Sequence, residues 1–237
     1  MAQAITLFSF VAYLNIFSMS DPICPLCSTP HASFYHQDQR RVYHQCHCCK
    51  LVFVAPAYLP SAQAEQAEYQ LHENHAHDAG YRQFLNRAAA PLCAKLGQPA
   101  TGLDFGCGPA PVLAAMLEAA GHTMHLYDPF FHPDTKALER QYQFITCTEA
   151  IEHFHAPVLE LNRLDACLET HGWLCVMTKR VISAARFKNW HYKNDPTHVS
   201  FFSDETFYYI GRKYGYQVYL VSADVVLMHK QSYTTPL

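Results

Sequence analysis

From Thr101 onward, apolar and polar positions alternate between two periods, and the alternation predicts an ordered series of strands and helices. Short apolar runs at 101–106, 123–128, 144–149 and 172–179 predict strands, and stretches with helical spacing at 111–120, 156–169 and 204–214 predict helices. Two further runs, 216–222 and 224–230, predict strands that face each other across Ala223 and Asp224. A helix from about Tyr81 to Leu96 precedes them, and the Ala- and Gln-rich stretch from Pro56 to Gln70 reads as a linker passing into helix. Strands that alternate with helices predict an α/β fold around a mostly parallel sheet. Only about fifteen residues separate Asp128 from the strand starting at Phe144, too few for a helix, a strand and a second helix. The chain shows no internal repeat and no low-complexity tract.

The most specific local signal is TGLDFGCGPAPVLAAMLEAAGHTMHLYD, residues 101 to 128. It reads as strand, glycine turn, helix and second strand ending in an acid. Gly106 and Gly108 lack side chains, so the backbone can bend sharply and approach a ligand closely. Pro109 and Pro111 suit a helix's first turn, where a missing N–H costs little. Asp128 follows Gly108 at a spacing that suits a carboxylate meeting the ribose hydroxyls of a bound nucleoside. A dinucleotide fold would want glycine where Pro111 stands.

The run D-x-G-x-G-x-A from Asp104 to Ala110 resembles the first motif of the class I S-adenosylmethionine-dependent methyltransferases, with Ala110 in place of the third glycine. FITCTEAIEHFHAP, Phe144 to Pro157, resembles the fourth-strand motif of that family, and THGWLCVMT its turn into strand five, with Thr170 and His171 replacing the usual Pro and first Gly. WHYKNDPTHVSFFSDETF, Trp190 to Phe207, resembles a segment of the branch that contains the ubiquinone-pathway methylases. The resemblance implies a Rossmann-like sheet of order 3-2-1-4-5-7-6, its last strand antiparallel and its third in doubt, and S-adenosylmethionine as cofactor. It assigns cofactor binding to Asp104, Gly106, Cys107, Gly108, Asp128, Pro129, Thr148 and Glu149, with His72, Asn74 and Tyr81 near the methionine end, together with Tyr69. A solvated helix start is the alternative for that last group.

Methyl transfer is an in-line displacement at a sulfonium carbon, so the protein mainly positions the acceptor and excludes water. A base is required only when the attacking atom carries a proton. Candidates are Glu152 and His153 after the fourth strand, and His191, Asp195 and His198 after the fifth, where acceptor elements sit in this fold. Asp195 is close enough in sequence to orient His198, the first choice among them. The aromatics Phe201, Phe202, Phe207, Tyr208 and Tyr209 read as a helix face on the sheet ahead of an acceptor pocket. The Tyr209 and Lys213 pair reads as coincidence.

Nearer the N-terminus, Cys24, Cys27, Cys46 and Cys49 form two C-x2-C knuckles with the gap of a structural zinc site. Four thiolates close a tetrahedral Zn2+ site with no open position. Disulfides or unrelated thiols are the alternatives, and Cys48, His47 and His44 compete as ligands, although only Cys49 completes the repeated spacing. The Leu51-Val52-Phe53 run that follows resembles ribbons that precede methyltransferase domains. The expected organisation is thus an apolar leader 1–18, a zinc ribbon 19–56, a linker and helix start 57–80, and a methyltransferase domain 81–237.

Charge and composition narrow the partners. A chain of 237 residues, half of them hydrophobic, with net charge −3, can bury one substantial core but has no global basic footprint for nucleic acid. A local basic patch at Gln39-Arg40-Arg41 remains. Residues 1–18 are apolar and uncharged, yet too short for a span and without the basic flank of a signal peptide. Translation from Met19 is the preferred expectation. Ten cysteines without an export signal point to a reducing, cytoplasmic setting. The expected activity is methyl transfer to a small molecule without membrane association; the alternatives are an RNA methyltransferase that grips nucleic acid with its ribbon, and a non-enzymatic zinc-ribbon adaptor with a degenerate cofactor fold.

Overall fold

A computed structural model of the chain describes residues 22–71 and 78–232. The leader 1–18 and the candidates His72 and Asn74 lie outside the described residues. Three strands come first: β1 (Ala32–Gln37), β2 (Val42–Cys46) and β3 (Val52–Val54). Helices α1 (Ala62–Tyr69) and α2 (Ala79–Leu96) lead to β4 (Thr101–Phe105), α3 (Val112–Ala119) and β5 (Thr123–Tyr127). The series continues through β6 (Tyr142–Thr148), α4 (Pro157–Cys167), β7 (Leu168–Met177), α5 (Ala184–Lys188), β8 (Ser200–Phe201), α6 (Asp204–Tyr214), β9 (Tyr216–Leu220) and β10 (Val225–Lys230).

The large sheet runs β5-β4-β6-β7-β10-β9. β5, β4, β6 and β7 are parallel neighbours, and β10 enters antiparallel between β7 and β9. This is the expected order without its third strand. The short link after β5 holds only an Asp128–His132 bridge and a turn of 3-10 helix at Thr135–Glu139 before β6 begins. Side chains two apart along a strand share a face, and both faces are covered. Leu174, Val176, Val226 and Met228 pack with Leu161 and Leu164 of α4 and Phe207 and Ile210 of α6. Cys175, Met177, Val225 and Leu227 pack with Leu85 and Leu92 of α2 and Leu113 and Leu117 of α3.

The elements depart from expectation in places: β7 begins at Leu168, inside the stretch expected as helix 156–169. Pro111 is the N-cap of α3, so both prolines precede the helix and do not occupy its first turn. Phe201, Phe202 and Phe207 are buried in the core, whereas Tyr208 is exposed. α6 itself starts on a capping box of Ser203 and Thr206 and ends on left-handed Gly215.

The N-terminal strands form a second sheet of order β1-β2-β3-β8. Its fourth strand comes from the far end of the chain: Val52 pairs with Phe201 and Phe53 with Ser200. Tyr43, Val52 and Val54 share a core with Val181, Phe187, Tyr192, Val199 and Phe201. Cys24, Leu26, Cys49 and Leu51 are buried against the α4 and α6 side of the large sheet. No helix among the described residues is long and apolar enough to cross a membrane.

Candidate active site and cysteine centre

The bend after β4 is built by two left-handed glycines. Gly106 has φ +75° and Gly108 φ +65°. The Gly106 amide donates to the Tyr127 carbonyl at 2.8 Å, and the Gly108 amide donates to Asp128 Oδ2 at 3.0 Å. Asp128 Oδ1 accepts the amides of Phe130 and Phe131 at 2.8 and 3.0 Å. One carboxylate therefore ties the glycine bend to the turn that follows β5. Asp104 is buried on β4 and accepts the Thr146 hydroxyl at 2.7 Å. Burial pushes its carboxyl up to about 6, against the pull of that hydrogen bond.

A cavity of about 880 Å3 opens beside this bend. Among the sequence candidates it is lined by Asp104, Gly106, Cys107, Gly108, Asp128, Pro129, Thr148, Glu149 and Tyr81, and also by His153, Asp195 and His198. Glu149, the residue after β6, has φ +49°, a costly conformation for a residue with a Cβ, and its Oε1 is buried without a hydrogen-bond partner. Burial raises its carboxyl to about 7, against the opposing pull of Lys179 and Arg87. Acids outnumber bases along the walls, where Glu65 and Glu160 add to those named and Lys179 and Arg163 oppose them.

The histidine pair is held in a defined protonation pattern. His198 Nδ1 lies 2.7 Å from the Tyr192 carbonyl, and His153 Nδ1 lies 3.1 Å from the Thr197 carbonyl. A carbonyl only accepts, so both rings carry a proton on Nδ1, and His198, whose charged form burial disfavours, presents a lone pair at Nε2. The two rings stand 4.7 Å apart, and ligand-type atoms of His153, His198 and Glu152 lie within 4.8 Å of one another. Burial first, then the neighbouring His153, lowers His198 to about 4, although Asp195 pulls the other way. Asp195 Oδ2 is 3.6 Å from His198 Nε2. The orientation of the ring thus comes from the Tyr192 carbonyl, and Asp195 is placed to stabilise the ring once Nε2 takes a proton.

Two sequence candidates stand apart from the cavity. Glu152 is fully buried behind it: it accepts the Tyr192 hydroxyl on Oε1, its Oε2 has no hydrogen-bond partner, and burial raises its carboxyl to about 7. His191 is exposed and meets Lys179 Nζ at 3.0 Å outside the lining. Sequence reasoning missed Tyr192, Phe130, Lys179, and the pair Glu65 and His155, joined at 2.9 Å. Tyr69, named from sequence, and Glu65, which was not, both reach the cavity from α1.

The four cysteines of the knuckles converge. Cys24 and Cys49 Sγ are 3.5 Å apart, Cys27 and Cys46 3.3 Å, and all four lie within 4.8 Å of one another as free thiols. The knuckles are built alike. The Ser28 amide donates to the Cys24 carbonyl and the Lys50 amide to the Cys46 carbonyl, and Ser28 and Lys50 are both left-handed. Cys48 is exposed and outside the cluster. Of the Gln39-Arg40-Arg41 run, Arg40 is exposed and Arg41 is buried, so a single base remains at the surface there.

A family model described as a methyltransferase domain matches residues 72–221. The chain belongs to that family, the S-adenosylmethionine-dependent methyltransferases of class I. Magnesium protoporphyrin IX methyltransferase from Synechocystis PCC 6803, solved with bound S-adenosylhomocysteine, has a similar fold at TM-score 0.50 and 13% identity, over 74% of this chain and 97% of that one. The 1,6-didemethyltoxoflavin-N1-methyltransferase of Burkholderia thailandensis aligns at TM-score 0.48 and 16% identity, over 85% of this chain and 100% of that one. No curated protein sequence matches the chain.

Proposed function

We propose that this protein methylates a small-molecule acceptor bound between the glycine bend and the His153 and His198 pair. The observation that carries the reading is the one cavity that the glycine bend and the histidine pair both line. Its size is that of a site enclosing a cofactor and a small molecule. The residues fit an adenosyl sulfonium. A Cβ at Gly108 would meet nothing within 4 Å, so ligand space begins at the backbone there. The acids of the wall, with the unpartnered Glu149 oxygen, suit a cation. Asp128 would face the ribose, Asp104 and Glu149 the adenosyl and sulfonium region, and Tyr81 the methionine end. S-adenosylmethionine supplies the electrophilic methyl group when bound.

The protein's own residues then do three things. The aromatic walls, Tyr69, Phe84, Phe130 and Tyr192, exclude water from the acceptor. His198, neutral at physiological pH, accepts the acceptor's proton at Nε2. Asp195 stabilises the resulting imidazolium. The four cysteines would hold a structural Zn2+: a tetrahedron with bonds of about 2.3 Å has sulfur edges of about 3.8 Å, near the separations found.

The test is calorimetry with S-adenosylhomocysteine, followed by labelled methyl transfer into cell extract separated into metabolite, RNA and protein fractions. Label in the metabolite fraction is expected. Label confined to RNA overturns the acceptor class, and failure of folded protein to bind the nucleoside overturns the enzyme reading. His198→Ala is expected to lower turnover with S-adenosylhomocysteine affinity intact; unchanged turnover removes His198 from the mechanism.

A further inference from the structure

We propose that Arg41, on the N-terminal ribbon, is a positioning residue for the acceptor wall of the cavity, so that the ribbon is a working part of the methyl-transfer site. The inference rests on the reading of Asp195 and His198 as acceptor-side groups.

Arg41 immediately precedes β2 and is 7% exposed. A guanidinium has five N–H donors in a planar fork and no acceptor. All five are used. Nε donates to the Tyr43 hydroxyl at 3.2 Å. Nη1 donates to the carbonyls of Pro196 and His198, both at 2.9 Å. Nη2 donates to the carbonyl of Asp195 at 2.9 Å and to that of Lys193. Four carbonyls of one six-residue turn therefore converge on one side chain that is more than 150 residues distant in sequence. Local bonds within the turn are few: a 3-10 turn at His191–Asn194, the His198 amide to the Asp195 carbonyl at 3.4 Å, and Asp195 Oδ1 accepting the Thr197 amide and hydroxyl. The guanidinium is the one group that all four carbonyls share.

The rest of the ribbon fixes the clamp. Asp38 Oδ1 accepts the amides of Arg40 and Arg41 at 2.8 and 2.9 Å, and Asp38 Oδ2 accepts the Tyr43 hydroxyl and Lys193 Nζ at 2.9 and 3.2 Å. Arg40 Nη1 reaches the Asn194 carbonyl at 3.1 Å. On the far side of the turn, the Val54 amide donates to the Val199 carbonyl, and the Val199 amide to the Glu152 carbonyl, both at 2.9 Å. The clamped segment carries Asp195 and His198 into the cavity and supplies the Thr197 carbonyl that orients His153. The glycine bend and Asp128 are outside this network.

The geometry yields a test that separates positioning from folding. A lysine keeps the charge but has three donors radiating from one point, so it cannot satisfy four carbonyls and Tyr43. In folded Arg41→Lys, S-adenosylhomocysteine affinity by calorimetry is expected to stay within about twofold, while methyl transfer to the wild-type acceptor fraction falls by about tenfold or more, as a misplaced reacting group requires. The 15N signals of the His198 imidazole, assigned with His198→Gln, are expected to lose the single Nδ1–H tautomer of the wild type. Arg41→Ala is expected to recover part of its transfer with methylguanidinium. Native transfer and the native His198 signature in Arg41→Lys would overturn the proposal.

A measurement on the wild-type protein applies even if neither variant folds. Four separate, slowly exchanging Nη–H resonances are expected for Arg41, and a freely rotating guanidinium with averaged signals would overturn the clamp. The imidazole and guanidinium spectra need no acceptor. A failure of the proposed reaction is therefore distinguishable from a failure of Arg41.

Discussion

The Gly108 amide donates to Asp128 Oδ2 at 3.0 Å, which makes the bend after β4 and the turn after β5 one hydrogen-bonded unit. Asp128→Ala frees the amides of Gly108, Phe130 and Phe131 together. At about 1 kcal/mol for each lost hydrogen bond, a loss of about 2 to 3 kcal/mol in stability is expected, with S-adenosylhomocysteine binding weakened at least about tenfold. Calorimetry on the variant with undiminished affinity would separate Asp128 from the cofactor.

The two glycines of the bend should not respond equally to alanine. At Gly106 a Cβ would sit 2.6 Å from Ala150 Cβ, whereas at Gly108 it meets nothing within 4 Å. Both substitutions carry the left-handed penalty of about 1 to 2 kcal/mol. Gly106→Ala adds an overpacking cost of about 1 to 3 kcal/mol. Urea denaturation of the two variants measures the difference, and equal losses would contradict the steric account.

Glu149 predicts a pH dependence. Burial raises its carboxyl from 4.5 to about 7 in the folded chain. Between those values the unfolded chain has released the proton that the folded chain still holds, so stability falls as pH rises through this window and levels above it. Glu149→Gln has no such group. The variant is therefore expected to gain about 2 kcal/mol relative to wild type between pH 4 and pH 8, less than the full shift implies because the side chain is partly solvated. A difference that stays constant over that range would show that Glu149 titrates as an ordinary carboxylate.

The cysteine cluster predicts one bound Zn2+ per chain in protein prepared under reducing conditions. Cys46→Ser should abolish it, because Cys46 closes both a knuckle and the end of β2. Elemental analysis checks the metal, and hydrogen exchange checks the consequence. Loss of amide protection in β1, β2 and β3 is expected, with the β4 and β5 strands unaffected. Wild-type protein that folds without metal would refute the assignment.

What could be read from residues alone follows the range of the physics. The β4–α3–β5 unit was legible because glycine, proline and an acid at a fixed spacing act over one turn of chain. The knuckles were legible for the same reason. The absent third strand was legible from length. The burial of Arg41, next to the exposed Arg40, was not legible because it depends on carbonyls of the 193–198 turn, which periodicity near residue 41 cannot encode. His191 shared a motif with Asp195 and His198, but the 3-10 turn at His191–Asn194 leaves it beside Lys179 outside the cavity. The two residues of β8 are too few for any pattern to announce a strand.

The pairing of β3 with Ser200 and Phe201 also dictates when the protein can mature. On a ribosome the first three strands emerge early, yet their sheet lacks its outer strand until the chain has grown beyond residue 201. Until then the β3 edge stays open to any neighbouring nascent chain. Completion of this four-stranded sheet is thus a late event that waits for residue 201, and a truncation ahead of Ser200 would leave the β3 edge unpaired.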